Sequence, residues 1–164
     1  MITTAPHRSP HTGWNMKALV GSGDKVALFA APFAVVGVIL NVLHPSWFGV
    51  GGPPPVMRAV SAVVLSVGVV IWAWAVALIL LEVPRGELIS SGPFALMKHP
   101  IYTAAALLVL PWVGFLLNSL LGAVVGLALY AGSRRYAPAE ECELAETFGP
   151  AWDEYDQSVK LPWL

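Results

Sequence analysis

Residues 101–133 read IYTAAALLVLPWVGFLLNSLLGAVVGLALYAGS, a run of 33 residues without a charged side chain. As one helix it would be about 50 Å long, well beyond the roughly 30 Å hydrocarbon thickness of a bilayer. Asn118-Ser119 places a polar break near its middle. The break predicts two short apolar helices, 101–117 and 120–132, folded back on each other as a tight hairpin. Gly114, Gly122 and Gly126 let the two halves approach closely, as small residues do between membrane helices.

Upstream of this hairpin lie two more apolar runs. Residues 26–43 are uncharged and about 27 Å long as a helix, with Pro32 a point for a kink that neighbouring helices tolerate. Residues 59–81 add 23 uncharged positions. The connection at 44–55 is rich in proline and glycine and reads as a turn-rich loop. The composition of the whole chain agrees, with 57% hydrophobic and only 12% charged residues and a mean hydropathy of +0.70. A soluble domain carries about 25% charged residues, so an ordinary water-soluble globule and a disordered chain are both excluded. The net charge of −1 supplies no electrostatic footprint for nucleic acid, and the single cysteine, Cys142, cannot form an internal disulfide.

Lysine and arginine placement sets the orientation. Residues 1–25 hold Arg8, Lys17 and Lys25, the 82–100 segment holds Arg85 and Lys98, and Arg134, Arg135 and Lys160 follow the hairpin. The 44–57 connection has none, and Arg58 is the one mild exception. Four spans put both termini and the middle segment on the cytoplasmic side, whereas three would strand Arg134-Arg135 outside. The expected fold is therefore an all-α, multi-pass membrane protein with about four transmembrane helices. Residues 1–25 read as a cytosolic tail with a short interfacial helix around 14–20 and no apolar core of a cleaved leader. Residues 26–164 read as one domain ending in a cytosolic segment at 133–164.

Most of the polarity is confined to two stretches that flank the hairpin. One is EVPRGELISSGPFALMKHPIY at 82–102, and the other is RRYAPAEECELAETFGPAWDEYDQSVKLPWL at 134–164. A closed hairpin brings them side by side at the membrane surface. Within the first, Ser90-Ser91-Gly92-Pro93 is a turn signal, and Pro100 suits the first turn of a helix. Within the second, 139–148 reads as a short separate helix, with Pro138 in its first turn and Glu140, Glu141 and Glu143 near its positive end. Taken singly, each feature has an ordinary explanation. His99 fits an interfacial histidine, the glutamates a solvated acidic face, and Tyr136, Trp152, Tyr155 and Trp163 an aromatic belt at the headgroups. No clustered metal ligands, phosphate-binding loop or dinucleotide fingerprint is present. Ser90 and Ser91 near His99 lack the orienting acid of a hydrolase triad. The spans hold no acidic or basic residue apart from Arg58 at one end, which argues against an ion pump or proton relay.

Together the two stretches carry a pattern. It runs G-E-L-I-x-S-G-P-F-x-x-x-K-H-P-x-Y over 86–102, then the hairpin, then E-E-x-x-L-x-x-x-F-G-x-x-W-x-x-Y over 140–155 and a closing Leu-Pro. This resembles the isoprenylcysteine carboxyl methyltransferase and phospholipid methyltransferase superfamily of integral membrane enzymes, over roughly residues 82–164. The resemblance implies S-adenosyl-L-methionine (SAM) as cofactor, with S-adenosyl-L-homocysteine as product, in a cytoplasm-facing pocket closed by the C-terminal helical segment. By position it assigns cofactor contacts to Glu87, Leu88, Ile89, Phe94, His99, Pro100, Ile101, Tyr102 and Glu140. It associates an arginine just before the acidic pair with the methyl acceptor. Arg134 and Arg135 are the candidates, Tyr136 occupying the aligned position.

This chain departs from the family at Lys98, where arginine is usual, and at Phe94, where tyrosine is common. Lysine keeps the charge but loses the bidentate fork. The implied reaction is methyl transfer to a lipophilic or membrane-delivered acceptor, with membrane lipids as surroundings. A carboxylate or thiolate acceptor needs no base, whereas a phospholipid amine must lose a proton, for which Glu141 and His99 are the candidates. Isoprenylcysteine-type methylation is the first expectation and phospholipid N-methylation the second. A nicotinamide-dependent reductase sharing a related C-terminal core, and a non-catalytic membrane subunit, are the rival classes.

Overall fold

The computed structural model describes residues 23–52 and 54–161. These are mostly helical, with no strand among them. Six α-helical segments follow in order: α1 (Gly23–Leu43), a single turn α2 (Pro45–Phe48), α3 (Pro55–Glu82), α4 (Pro100–Leu116), α5 (Leu121–Phe148) and α6 (Pro150–Ser158). Short 3-10 turns at Val83–Arg85 and Gly92–Ala95 lie between α3 and α4. The expected interfacial helix around 14–20, most of the 1–25 tail and the closing Pro162 lie outside the described residues.

Packing follows the small residues. α1 packs on α5, α5 on α4 and α4 on α3, so the long helices form a row with α1 and α3 at its ends. On α3 the buried positions are Ser61, Gly68 and Ala75, seven residues apart and all small. A side chain at Gly68 would strike the Leu108 Cβ at 2.5 Å. α4 and α5 are the predicted hairpin, and its glycines do what close packing requires. A Cβ on Gly114 would lie 2.6 Å from the Ser119 carbonyl oxygen, one on Gly122 would collide with the Leu110 carbonyl, and one on Gly126 with the Ala106 carbonyl.

The break falls where the polar pair predicts it. Asn118 adopts a left-handed backbone with φ of 56°, a conformation asparagine tolerates better than most residues. The 44–55 connection has a definite role at this end of the row. The Gly52 N–H donates to the Asn118 side-chain oxygen at 2.8 Å, the Leu120 N–H donates to the Phe48 carbonyl at 2.8 Å, and the Ser119 hydroxyl donates to the Asn41 side chain at 3.0 Å. α1, α2 and the hairpin turn are thereby clamped together.

α4 contains a wide π-type turn over Ala104–Val109. Its cause is Pro111, which has no N–H to offer. The Trp112 indole N–H donates instead to the Leu107 carbonyl at 3.2 Å.

Two expectations need correction. The second hairpin helix does not stop at 132 with a new helix at 139. α5 is one continuous helix of 28 residues, with Pro138 inside it. Proline costs a helix one hydrogen bond and a steric clash, but it does not end one whose path is held by its neighbours. Here Gly132, Ser133 and Ala137 are all buried, and Phe29 of α1 lies against Gly132 so closely that a Cβ there would be 2.9 Å from the ring. Pro32 likewise sits within an unbroken α1. Second, Trp152 and Tyr155 are not a belt at the headgroups, because both are buried, 6% and 5% exposed.

α1 and α3 are each long and apolar enough to cross a membrane, and only 17% and 11% of their most apolar windows are buried. Leu28, Val35, Val42, Val63, Val70 and Leu80 are among the side chains that point outward. Apolar surface on that scale is stable against lipid rather than water. α4 is a shorter apolar helix.

Candidate functional site

At the end of the row opposite the clamp, the two polar stretches meet. Pro100 starts α4 from a fully buried position, and His99 just before it has the non-helical backbone of a helix cap, φ −122° and ψ 60°. This directs Lys98 and His99 toward α5. His99 Nε2 lies 3.1 Å from Glu141 Oε1, and Lys98 Nζ lies 3.0 Å from Glu141 Oε2. One carboxylate thus receives a neighbour on each oxygen. Lys98 also pairs with Asp156 of α6 and stands 5.9 Å from the centroid of the Trp152 ring.

α6 reaches this cluster because of the corner that precedes it. Gly149 has φ 51° and ψ −124°, a region open in practice only to glycine, and Pro150 begins the next helix with a preset φ. The chain reverses there, and Trp152, Tyr155 and Val159 form a small core with Leu88, Leu144, Ala145 and Phe148 around it. The Tyr155 hydroxyl donates to the Phe94 carbonyl at 3.0 Å, and the Leu161 N–H donates to the Leu96 carbonyl at 2.8 Å. The F-G-x-x-W-x-x-Y spacing therefore has a mechanical sense. Gly149 makes the corner, while Trp152 and Tyr155, three residues apart, face the same side of α6.

The electrostatics follow from these contacts. The hydrogen bond with His99, helped by Lys98, outweighs burial and holds the Glu141 carboxyl at about 2. Burial works against the Lys98 charge, but Asp156 and Glu141 outweigh it and keep the ammonium above its ordinary value. Burial, with the nearby Glu141 and Asp156 charges, pushes the Tyr155 phenol up to about 12.

Of the predicted site residues, His99 and Glu141 come together, with the Tyr102 ring 6.1 Å from that of His99, while Phe94 is tied through its carbonyl to Tyr155. Leu88 and Ile89 lie in the packing beneath, Leu88 against the aromatic core and Ile89 buried, and Ile101 and Glu140 are half-buried nearby in sequence. Glu87 and Arg135 are exposed. Arg135 precedes Glu141 by six helical positions, about 120° round α5, and its guanidinium sits 5.7 Å from the Tyr136 ring centroid rather than at His99. Glu141, a candidate proton acceptor by sequence, carries Lys98 on one oxygen and His99 on the other. Its position suits orientation of His99. With hydrogen on Nε2, His99 donates to Glu141 and keeps the Nδ1 lone pair.

Asp156 and the buried role of Trp152 and Tyr155 are absent from the sequence reading. The aromatic part had a signal, because 152, 155 and 159 are spaced as one helical stripe. Asp156 had none. No family model, curated protein or solved structure matches this chain.

Proposed function

We propose that this protein is an integral membrane methyltransferase that uses SAM to methylate a lipophilic or membrane-delivered acceptor. Its long helices are read as four crossings, the apolar start of α5 and the short α4 being two of them. The basic residues then put the His99–Glu141 end on the cytoplasmic side. The supporting observation is the 3.1 Å approach of His99 to Glu141 across 42 positions of sequence, since it joins the two blocks that carry the family resemblance.

Bound SAM would supply a methyl group on a sulfonium, transferred by in-line displacement. The residues at this end suit the tasks left to the protein. The family resemblance assigns Glu140 to the cationic part of the cofactor, while Glu141 pairs with Lys98 and His99. Tyr102 and Phe94 offer aromatic faces for adenine or for cation–π contact. The first N–H groups of α4, at Ile101 and Tyr102, lack helical acceptors and suit a carboxylate. Packing of α6 beside the cluster leaves the Lys98 and His99 side chains 10% and 11% exposed, which limits the water that reaches them.

A second reading of the acceptor is favoured by one observation. An amine must shed a proton, and a histidine oriented by a carboxylate is a suitable proton acceptor, whereas a prenylcysteine carboxylate would have no use for it. Product mass after incubation with phosphatidylethanolamine or with a prenylated cysteine separates the two.

The test of the cofactor is calorimetric titration of S-adenosyl-L-homocysteine into detergent-purified protein. Saturable binding is expected, weakened about tenfold, or ~1.4 kcal/mol, by Glu140→Gln and by His99→Ala in samples that remain folded. Absence of binding to folded wild-type protein overturns the proposal and favours a nicotinamide-dependent or non-catalytic role, the former tested by titrating reduced nicotinamide cofactor.

A further inference from the structure

A concave feature lies away from the His99 cluster, between the start of α1 and the middle of α5. It is an open groove of about 390 Å³ lined by Lys25, Leu28, Phe29, Pro32, Phe33 and Tyr136. That volume falls within the range of small-ligand sites, about 300–1,000 Å³. Its interior is apolar and packed from below. Phe29 rests on Gly132, meets Tyr136 edge-on at 6.2 Å between centroids and Phe33 at 5.8 Å.

The charge is concentrated at one end. Lys25 stands in the first turn of α1, and Arg135 holds its guanidinium over the Tyr136 ring. Both side chains are exposed, and neither forms an ion pair among the described residues. From Lys25 to Phe33 the helix descends about 12 Å, the depth of the upper part of an acyl chain below its headgroup. On α5, Arg135 and Tyr136 come just after the uncharged stretch that ends at Ser133. The mouth therefore sits at headgroup level and the walls run into the hydrocarbon.

We propose that this groove seats an acyl chain of an anionic phospholipid, whose phosphate is held between Lys25 and Arg135. The match is one of sign and depth: Lys25 on the groove wall and Arg135 beside Tyr136 outnumber the one carboxylate of the first turn of α1, Asp24, above an aromatic-walled slot open to the bilayer. The bound lipid would fill the space between α1 and α5. The proposal rests on the membrane reading of these helices, and not on methyl transfer.

The test uses the full chain in phosphatidylcholine nanodiscs containing a minority of phosphatidylglycerol with a photoreactive group in its acyl chain, with adducts located by mass spectrometry. Adducts are expected to concentrate at 28–33 and 136. They should fall about fivefold in Lys25→Gln, since one cation near an anionic surface is worth roughly that much, and by more than that when the reactive chain is carried by phosphatidylcholine, which has no net charge for either cation. Lys25→Arg should restore them. Labelling independent of headgroup, or spread evenly over outward residues such as Val35, Val63 and Val70, would reveal ordinary surrounding lipid and overturn the proposal. Adducts missing from the groove in wild type but gained on removal of residues 1–22 would make the N-terminal segment the occupant, and would overturn it too. Cofactor titration is independent of all these outcomes.

Discussion

The Tyr155 hydroxyl donates to the Phe94 carbonyl oxygen at 3.0 Å, joining the last helix to the turn that leads into the hairpin. The ring is buried, so Tyr155→Phe keeps the packing and removes the donor alone. The Phe94 carbonyl then loses a partner in a half-buried setting, at a cost of about 1 kcal/mol. The expected result is a small drop in unfolding temperature together with faster amide exchange around 92–97. Tyr155→Ala also empties the small core and should cost about 3 kcal/mol or more.

Lys98 is the cation shared by Glu141 of α5 and Asp156 of α6. Lys98→Met keeps the stem but leaves two neighbouring carboxylates without it, so destabilisation of about 1–3 kcal/mol is expected. Lys98→Arg should recover most of this loss, because charge matters more here than shape. Proteolysis between α5 and α6 gives an independent reading. The 150–161 segment should become susceptible in the methionine variant and stay protected in the arginine variant.

Acid should loosen the same contacts. Glu141 is held at about 2 against an ordinary 4.5, so the unfolded chain takes up its proton first as pH falls. The stability it contributes is present above about 4.5 and is lost progressively between 4.5 and 2. Tyr155 acts at the other extreme. Its phenol is raised from 10 to about 12, so its contribution is present below 10 and lost between 10 and 12. Thermal unfolding across a pH series should show both limbs. Glu141→Gln should flatten the acid limb, and Tyr155→Phe the alkaline one.

Much of the architecture could be read from residue types with a local meaning. The Asn118-Ser119 break, the Gly114, Gly122 and Gly126 contacts and the position of Pro100 all follow from backbone geometry that few other residues satisfy. The meeting of the 82–102 and 134–158 stretches followed from closing the hairpin. Where sequence reasoning failed, the deciding force was tertiary. Pro138 has the local character of a helix start, yet burial of Gly132, Ser133 and Ala137 carries α5 straight through it. Glu141 shows nothing in the sequence of the two neighbours, Lys98 and His99, that meet its oxygens. Asp156 shows nothing of its role until the Gly149 corner turns α6 back toward Lys98.

The hairpin itself provides the sharpest packing test. A methyl group at Gly122 has no room, because the Leu110 carbonyl oxygen occupies its position and the Gly114 Cα is 3.0 Å away. These obstacles are backbone atoms, which no rotamer change can move. Gly122→Ala must therefore push α4 from α5, with a destabilisation of about 1–3 kcal/mol despite the better helix propensity of alanine. Gly49→Ala is the matched control, since a Cβ there would sit at an acceptable 3.4 Å from the Pro45 carbonyl. Unfolding in detergent should separate the two variants clearly. Equal stability would mean that the helices are not in close contact at Gly122.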